Sequence, residues 1–271
     1  EALLYGTITK DLDDIKTIII DEASMVNVQL YNDLLSFGLP ILFVGDHGQL
    51  EPIGENPRLM IDPEIRLEKI HRQAEGNRIL RLASAFREGR TVPYWTTPCG
   101  TASVQPRNDF WKLVRSDTDA QFICGFNKTR HLVNSTRRQQ LGFCGDIPQP
   151  GEGIVCLQNN ADFGIFNGQQ AVVIATSPSR WDVIEIKMEL DNGNRVLIPC
   201  RRTQFGQEVD KTTYSRKIAM FDYAYCLTAH RAQGSEYDEV VVLEEISSYW
   251  DDRRWRYTAV TRAKNVVIFC K

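Results

Sequence analysis

Short runs that are apolar at every position, rather than at alternate ones, recur along this chain between longer amphipathic stretches. Thr17-Ile18-Ile19-Ile20 and Pro40 to Val44 are the clearest. A strand with no polar face needs cover on both sides, and a parallel sheet between helix layers supplies it. An α/β fold with largely parallel sheets is therefore expected. Ser24 to Phe37 reads as the helix between those two strands, with Met25, Leu30, Leu34 and Phe37 inward. Phe122 to Phe126, Tyr223 to Leu227, Val240 to Leu243 and Val266 to Phe269 are further strands, with helices over 77–88, 128–141 and 253–263.

One region has a different texture. Within 153–202 the alternation becomes period two, with Ile184, Ile186, Met188 and Leu190 on one face. Asn192-Gly193 then signals a tight turn before Arg195 to Cys200. A small antiparallel barrel or meander inserted into the second α/β unit is expected there. Residues 91–118, with three prolines and little periodicity, read as a connector.

Thirty-two basic and thirty-five acidic residues leave a formal charge of -3, so no global positive field attracts nucleic acid; such binding needs a local track. Arg201-Arg202 with Phe163, Phe166 and Phe205 offers one. Arg137-Arg138 and Arg253-Arg254 read instead as solvated helix faces. The seven cysteines are odd in number, lack a CxxC pair and lie mostly in apolar runs, so they read as small hydrophobes. No stretch reaches the ~18 apolar residues of a membrane span. The first residues carry no export signature, so the expected location is the cytoplasm, a host's cytoplasm if a phage encodes the chain.

The sharpest chemical signal is Ile18-Ile19-Ile20-Asp21-Glu22-Ala23-Ser24, a strand ending in adjacent carboxylates. At a parallel strand's C-terminal tip one carboxylate can hold Mg²⁺ and its neighbour can orient the water that attacks a γ-phosphate. The alternative is that both merely cap the following helix. A second such strand, Ile41 to Val44, ends in Gly45-Asp46-His47-Gly48-Gln49-Leu50. Gln49 suits a γ-phosphate contact; alternatively it is a solvated turn residue.

Asp21-Glu22-Ala23-Ser24 resembles motif II of superfamily 1 helicases, and Gly45-Asp46-His47-Gly48-Gln49-Leu50 resembles motif III. The later motifs follow in order: His71-Arg72-Gln73 resembles motif IV, Thr228 to Glu236 motif V, and Tyr257 to Lys264 motif VI. Gly125 to Lys128 and Phe166-Asn167-Gly168 are similar to elements of the RecD/Dda-like branch, whose members move 5′ to 3′ on single-stranded DNA. The resemblance covers roughly residues 15–90 and 120–271.

It implies RecA-like P-loop motor lobes with parallel sheets plus an SH3-like β-barrel insertion. Residues 1–90 would be a partial first lobe, 91–119 a connector, 120–152 with 203–271 the second lobe, and 153–202 the barrel. It implies ATP and Mg²⁺ as cofactors, Asp21 for the metal, and Glu22, Arg72 and Arg262 as catalytic groups. Gln49, Gly234 and Glu236 would serve the nucleotide, and Thr228, His230 and Asn167 the DNA; His230 reads equally as a structural histidine. Single-stranded DNA is the implied track, with RNA open. Replication or recombination proteins are implied partners, and no membrane is.

The family also needs a phosphate loop of the form GxxxxGK[ST]. Gly6-Thr7-Ile8-Thr9-Lys10 lacks that ending, and only twenty residues precede Asp21. The chain thus reads as an N-terminally truncated ATP-dependent DNA helicase. Two alternatives stay open, a non-catalytic nucleic-acid-binding fragment and a RecD-like subunit of a nuclease-helicase complex.

Overall fold

The computed structural model describes residues 14–52, 54–67, 77–98, 100–179, 181–208 and 215–271. The chain divides into two units, Glu1–Arg107 with Gln233–Lys271, and Asn108–Ala232.

The first unit opens with β1 (Ile18–Ile20), α1 (Val28–Leu35) and β2 (Ile41–Phe43), a parallel pair in the register Ile18↔Ile41, Ile19↔Leu42 and Ile20↔Phe43. The helix begins later than its apolar pattern suggests. Ala23–Met25 form a 3₁₀ turn, and the Asn27 side chain caps α1 by accepting from the Leu30 N–H at 2.9 Å. Leu34 points inward, whereas Met25, expected inward, is 43% exposed because it lies on that turn. Ile18, Ile20, Ile41 and Phe43 pack on Ala23, Val26 and Leu34. Ile19 and Leu42 face the other way and are 66% and 52% exposed, so the described residues cover one face of this sheet rather than two.

The chain continues through α2 (Arg78–Arg87), β3 (Trp95–Thr96), β4 (Ala102–Gln105) and α3 (Arg107–Val114), so the expected connector carries two strands and a helix. Its prolines fall between these elements, where they break nothing. The second unit holds β5 (Gln121–Cys124), α4 (Asn127–Gln140), β6 (Gly153–Cys156), β7 (Gln170–Pro178), β8 (Val183–Leu190), β9 (Arg195–Arg201), β10 (Phe221–Tyr223) and β11 (Cys226–Thr228). β5 and β11 pair in parallel, while β10, β6, β7, β8 and β9 form an antiparallel sheet in that order. Ile184, Ile186, Met188 and Leu190 are all buried on one face of β8, as their period predicts. The turn after β8 has Gly193 at φ 80°, a conformation suited to glycine. The single strand expected over Tyr223 to Leu227 is divided: β10 joins the antiparallel sheet and β11 pairs with β5.

Arg137 and Arg138 are not solvated; they are 4% and 8% exposed. Arg137 donates to the carbonyls of Val114, Ser116 and Thr118. Arg138 forks onto Glu152 at 2.7 and 2.9 Å and lies 4.1 Å from the Tyr223 ring centre, while Glu152 also accepts from the Tyr225 hydroxyl at 2.9 Å. A planar guanidinium with several donors can be buried where carbonyls and a carboxylate meet all of them.

The first unit ends with β12 (Tyr237–Leu243), α5 (Asp252–Val260) and β13 (Ala263–Cys270). β12, β13 and β4 run parallel, and β3 pairs antiparallel with β4. Asn77 caps α2 and Asp251 caps α5. The two helices pack together, and the Phe86 ring of α2 lies 4.6 Å from that of Phe269 on β13.

Candidate nucleotide and strand sites

Backbone hydrogen bonds carry the β1–β2 pairing past its strands. Val44 N–H donates to the Ile20 carbonyl and Ala23 N–H to the Val44 carbonyl, both at 2.8 Å. The two tips meet at Gly45, where a Cβ would lie 2.8 Å from Met60 Sδ and 3.0 Å from the Ser24 nitrogen. Only glycine fits. Glu22 adopts a left-handed conformation, φ 51° and ψ 39°, which costs a non-glycine residue on the order of 1 kcal/mol. The Asp21 carboxylate accepts from the Glu22 N–H at 2.8 Å, and Glu22 makes no side-chain capping bond. Capping therefore does not explain the acidic pair, since Asn27 caps α1. Asp21 is exposed and Glu22 half-buried, two hard oxygen donors beside one another.

The loop after β2 is fastened to α5. Asp46 accepts from the Gly48 N–H at 2.8 Å and from the Tyr257 hydroxyl at 2.6 Å. Burial and then this bond push the Tyr257 phenol well above its usual range. Leu50 N–H donates to Thr258 Oγ1 at 2.9 Å, and the Leu50 carbonyl accepts from the Gln233 side chain at 3.2 Å. Glu51 meets Arg254 at 2.7 Å. Gln49 is 6% exposed, and its side-chain oxygen is buried with no hydrogen-bond partner among the described residues, so it is not the solvated turn residue of the alternative reading.

Thr258 links that loop to Arg262. Its hydroxyl holds Leu50, and its carbonyl accepts from Arg262 Nε at 3.1 Å. Arg262 is 4% exposed and also donates to the Ser235 carbonyl and Thr261 Oγ1. Gly234 is left-handed at φ 76° with open space beside its Cα, and Glu236 lies 3.9 Å from Lys264. Thr258, whose part the sequence reading missed, thus ties the backbone next to Gln49, at Leu50, to Arg262. Its only sequence signal was its place in the stretch Tyr257 to Lys264. Arg72, with His71 and Gln73, lies outside the described residues.

In the second unit Thr228 is buried at the end of β11 and accepts from the Arg231 N–H at 3.4 Å. His230 is half-buried, and that burial lowers its pKa from the usual 6.5. Asn167 donates its N–H to Asn159 Oδ1 at 2.7 Å, and a Cβ on the adjacent Gly168 would lie 3.8 Å from the Arg231 carbonyl. The Phe166–Gly168 turn and the segment after Thr228 are therefore neighbours. The track read from Arg201, Arg202 and three phenylalanines is not assembled. Phe205 is buried in the sheet core, Phe163 packs against it, and Arg202 holds Asp146 at 2.7 Å; of the three rings only Phe166 is exposed.

Residues 3–96 match the AAA domain model, and residues 223–270 match that of the UvrD-like helicase C-terminal domain. Over 276 residues the chain is 25% identical to the ATP-dependent RecD2 DNA helicase of Deinococcus radiodurans, an alignment spanning 92% of this chain. In sequence, then, the chain is similar to a superfamily 1 helicase of the RecD kind. It is also 26% identical over 289 residues to a probable conjugal transfer protein TraA of Sinorhizobium fredii, with 93% of the chain aligned. These alignments span 35% and 24% of the two relatives, about a third and a quarter of their lengths. Pif1 helicase from Bacteroides, solved with ADP-AlF3 and single-stranded DNA, shares the fold at TM-score 0.60 and 17% identity, over 95% of this chain and 71% of that one. Candida albicans Pif1 does so at 0.59 and 18%, over 94% and 72%. Among the described residues no helix is long and apolar enough to cross a membrane.

Proposed function

We propose that this chain is the motor part of an ATP-driven helicase that moves 5′ to 3′ along single-stranded DNA. The observation that carries the reading is the link through Thr258, which joins the loop bearing Gln49 to Arg262. A residue contacting a γ-phosphate and an arginine sensing the same group have to respond together, and one threonine touching both segments supports that coupling.

The donors fit Mg-ATP. Asp21 offers an exposed carboxylate for Mg²⁺, and Gln49 has a buried amide oxygen without a partner among the described residues, an acceptor suited to the cation or a water proton. Bound Mg-ATP supplies the transferable phosphoryl group and the charge that polarises it. Glu22 orients a water and takes its proton at the carboxylate, which makes no capping bond to the helical turn that follows it. Arg262 exchanges backbone carbonyls for phosphate oxygens, keeping its permanent charge for the negative charge that develops. Arg72 supplies a second guanidinium. Gly234 leaves room for the nucleotide, and Glu236 accepts from its ribose.

Thr228, His230 and Asn167 hold the strand by its phosphates, without reading bases. The antiparallel sheet of β6 to β10 supports the reading of residues 153–202 as an SH3-like barrel within the second motor lobe. The protein made from its natural reading frame should unwind a duplex with a 5′ single-stranded tail in ATP and leave a 3′-tailed duplex intact. Equal unwinding of both, or preference for the 3′ tail, would refute the polarity.

A further inference from the structure

A cavity of about 330 Å³ lies in the first unit between the C-terminal end of α2 and the start of α5, apart from Asp21, Glu22 and Arg262. Six of its lining residues are His47, Gly48, Arg66, Arg87, Arg253 and Arg254. Its lining also holds two carboxylates, Asp251 and Glu88. Asp251 caps α5 through the N–H groups of Arg253 and Arg254, and Glu88 pairs with Arg90 at 2.6 Å. Arg254 pairs with Glu51, but Arg87 and Arg253 meet no carboxylate among the described residues.

Two glycines leave room for these arginines. A Cβ on Gly89 would lie 2.7 Å from Arg253 Nε, and one on Gly48 would lie 3.0 Å from Arg87 Cδ. Gly89 is also left-handed, at φ 71°. Arg87 Cζ lies over the Tyr257 ring, 5.8 Å from its centre, within cation–π range. Two guanidiniums with no ion-pair partner among the described residues, in a concave site that holds four arginines against two carboxylates, suit a tetrahedral oxyanion, for which arginine forks are the matching donors. We infer that this cavity binds a phosphate group through Arg87 and Arg253.

The phosphate comes from the backbone of a single strand or from a free phosphate-bearing molecule. The first source rests on the reading of the chain as a strand-tracking motor; the second does not. The cavity wall at Gly48 adjoins Gln49, so an occupant there bears on the loop that the proposed nucleotide site uses.

The test compares the natural protein with the double variant R87Q/R253Q, and with R115Q, an exposed arginine on another surface, as control. Both target arginines are exposed, so their loss should leave folding intact, and a thermal melt verifies this. If a strand phosphate fills the cavity, the slope of log K against log salt for a mixed-sequence oligonucleotide falls by about 0.7 in the double variant. R115Q leaves that slope unchanged. If a free molecule fills it, the slope holds, while pyrophosphate binding, followed by titration calorimetry, is lost in the double variant alone. Should both the slope and pyrophosphate binding match those of the natural protein, the inference is wrong. A natural protein that binds no strand at all counts against the motor reading, and the pyrophosphate arm still decides the cavity.

Discussion

The β1–β2 pair and the β6–β10 sheet each bury an apolar face, with opposite resources. β8 alternates strictly and sends four side chains into a closed core. β1 and β2 are three residues each, covered on one side, and end in a strained glutamate and a glycine packed against backbone. The long sheet holds itself by apolar packing. The short pair is held at its tips by polar contacts, and the candidate chemistry sits at those tips. The packed core and the candidate chemistry lie in different parts of the chain, as expected where a site needs groups poised rather than buried.

The largest test of that division is Glu152→Ala. It leaves the Arg138 guanidinium buried without its carboxylate, and should destabilise the second unit by about 3–5 kcal/mol in chemical denaturation. A loss under about 1 kcal/mol would show that water reaches the pair. Next comes a matched set of isoleucines. Ile186→Ala, at a fully buried position, should cost roughly 2–4 kcal/mol, whereas Ile19→Ala, 66% exposed, should cost well under about 1 kcal/mol. Equal losses would mean that β1 is covered on both faces in solution.

Tyr257→Phe probes the polar fastening of the tips. Removing the hydroxyl that Asp46 accepts from should cost about 1–2 kcal/mol, visible in the denaturation midpoint. Because the folded-state pKa of Tyr257 is raised, the folded chain holds its proton longer than the unfolded one. Stability should therefore fall as pH rises beyond about 10, and that fall should shrink in the variant. The smallest effect concerns His230. Its folded pKa is lowered by burial, so the unfolded chain takes up the proton first, and stability should decline as pH drops below 6.5. Replacing His230 with Gln should flatten part of that decline.

Legibility followed the range of the interactions. The alternation of Ile184, Ile186, Met188 and Leu190 is local, and it appeared as written. Asp21-Glu22 at a strand tip was equally plain, because an apolar run ending in carboxylates is itself a local pattern. The two Arg-Arg pairs were not distinguishable. Arg137-Arg138 is buried by carbonyls more than a dozen residues earlier and by Glu152, whereas Arg253-Arg254 begins a helix beside a cavity. Nothing within either dipeptide encodes that difference. Phe205 misled for the same reason, since its aromatic ring suits a base or a core and only the fold assigns it to the core. Thr258 joins segments 208 positions apart, beyond any pattern of spacing. The extent of α1 was misread because Asn27 caps better than Ser24 does in its 3₁₀ turn.

The central claim is that Glu22 and the tips of β1 and β2 belong to a nucleotide-hydrolysing site answering to a strand. The most direct measurement is ATP hydrolysis by the protein from its natural reading frame, with and without single-stranded DNA, beside Glu22→Gln. Stimulation by the strand, with turnover abolished by the substitution while ATP still binds, is the predicted result. Turnover that ignores the strand, or that survives Glu22→Gln, would contradict it.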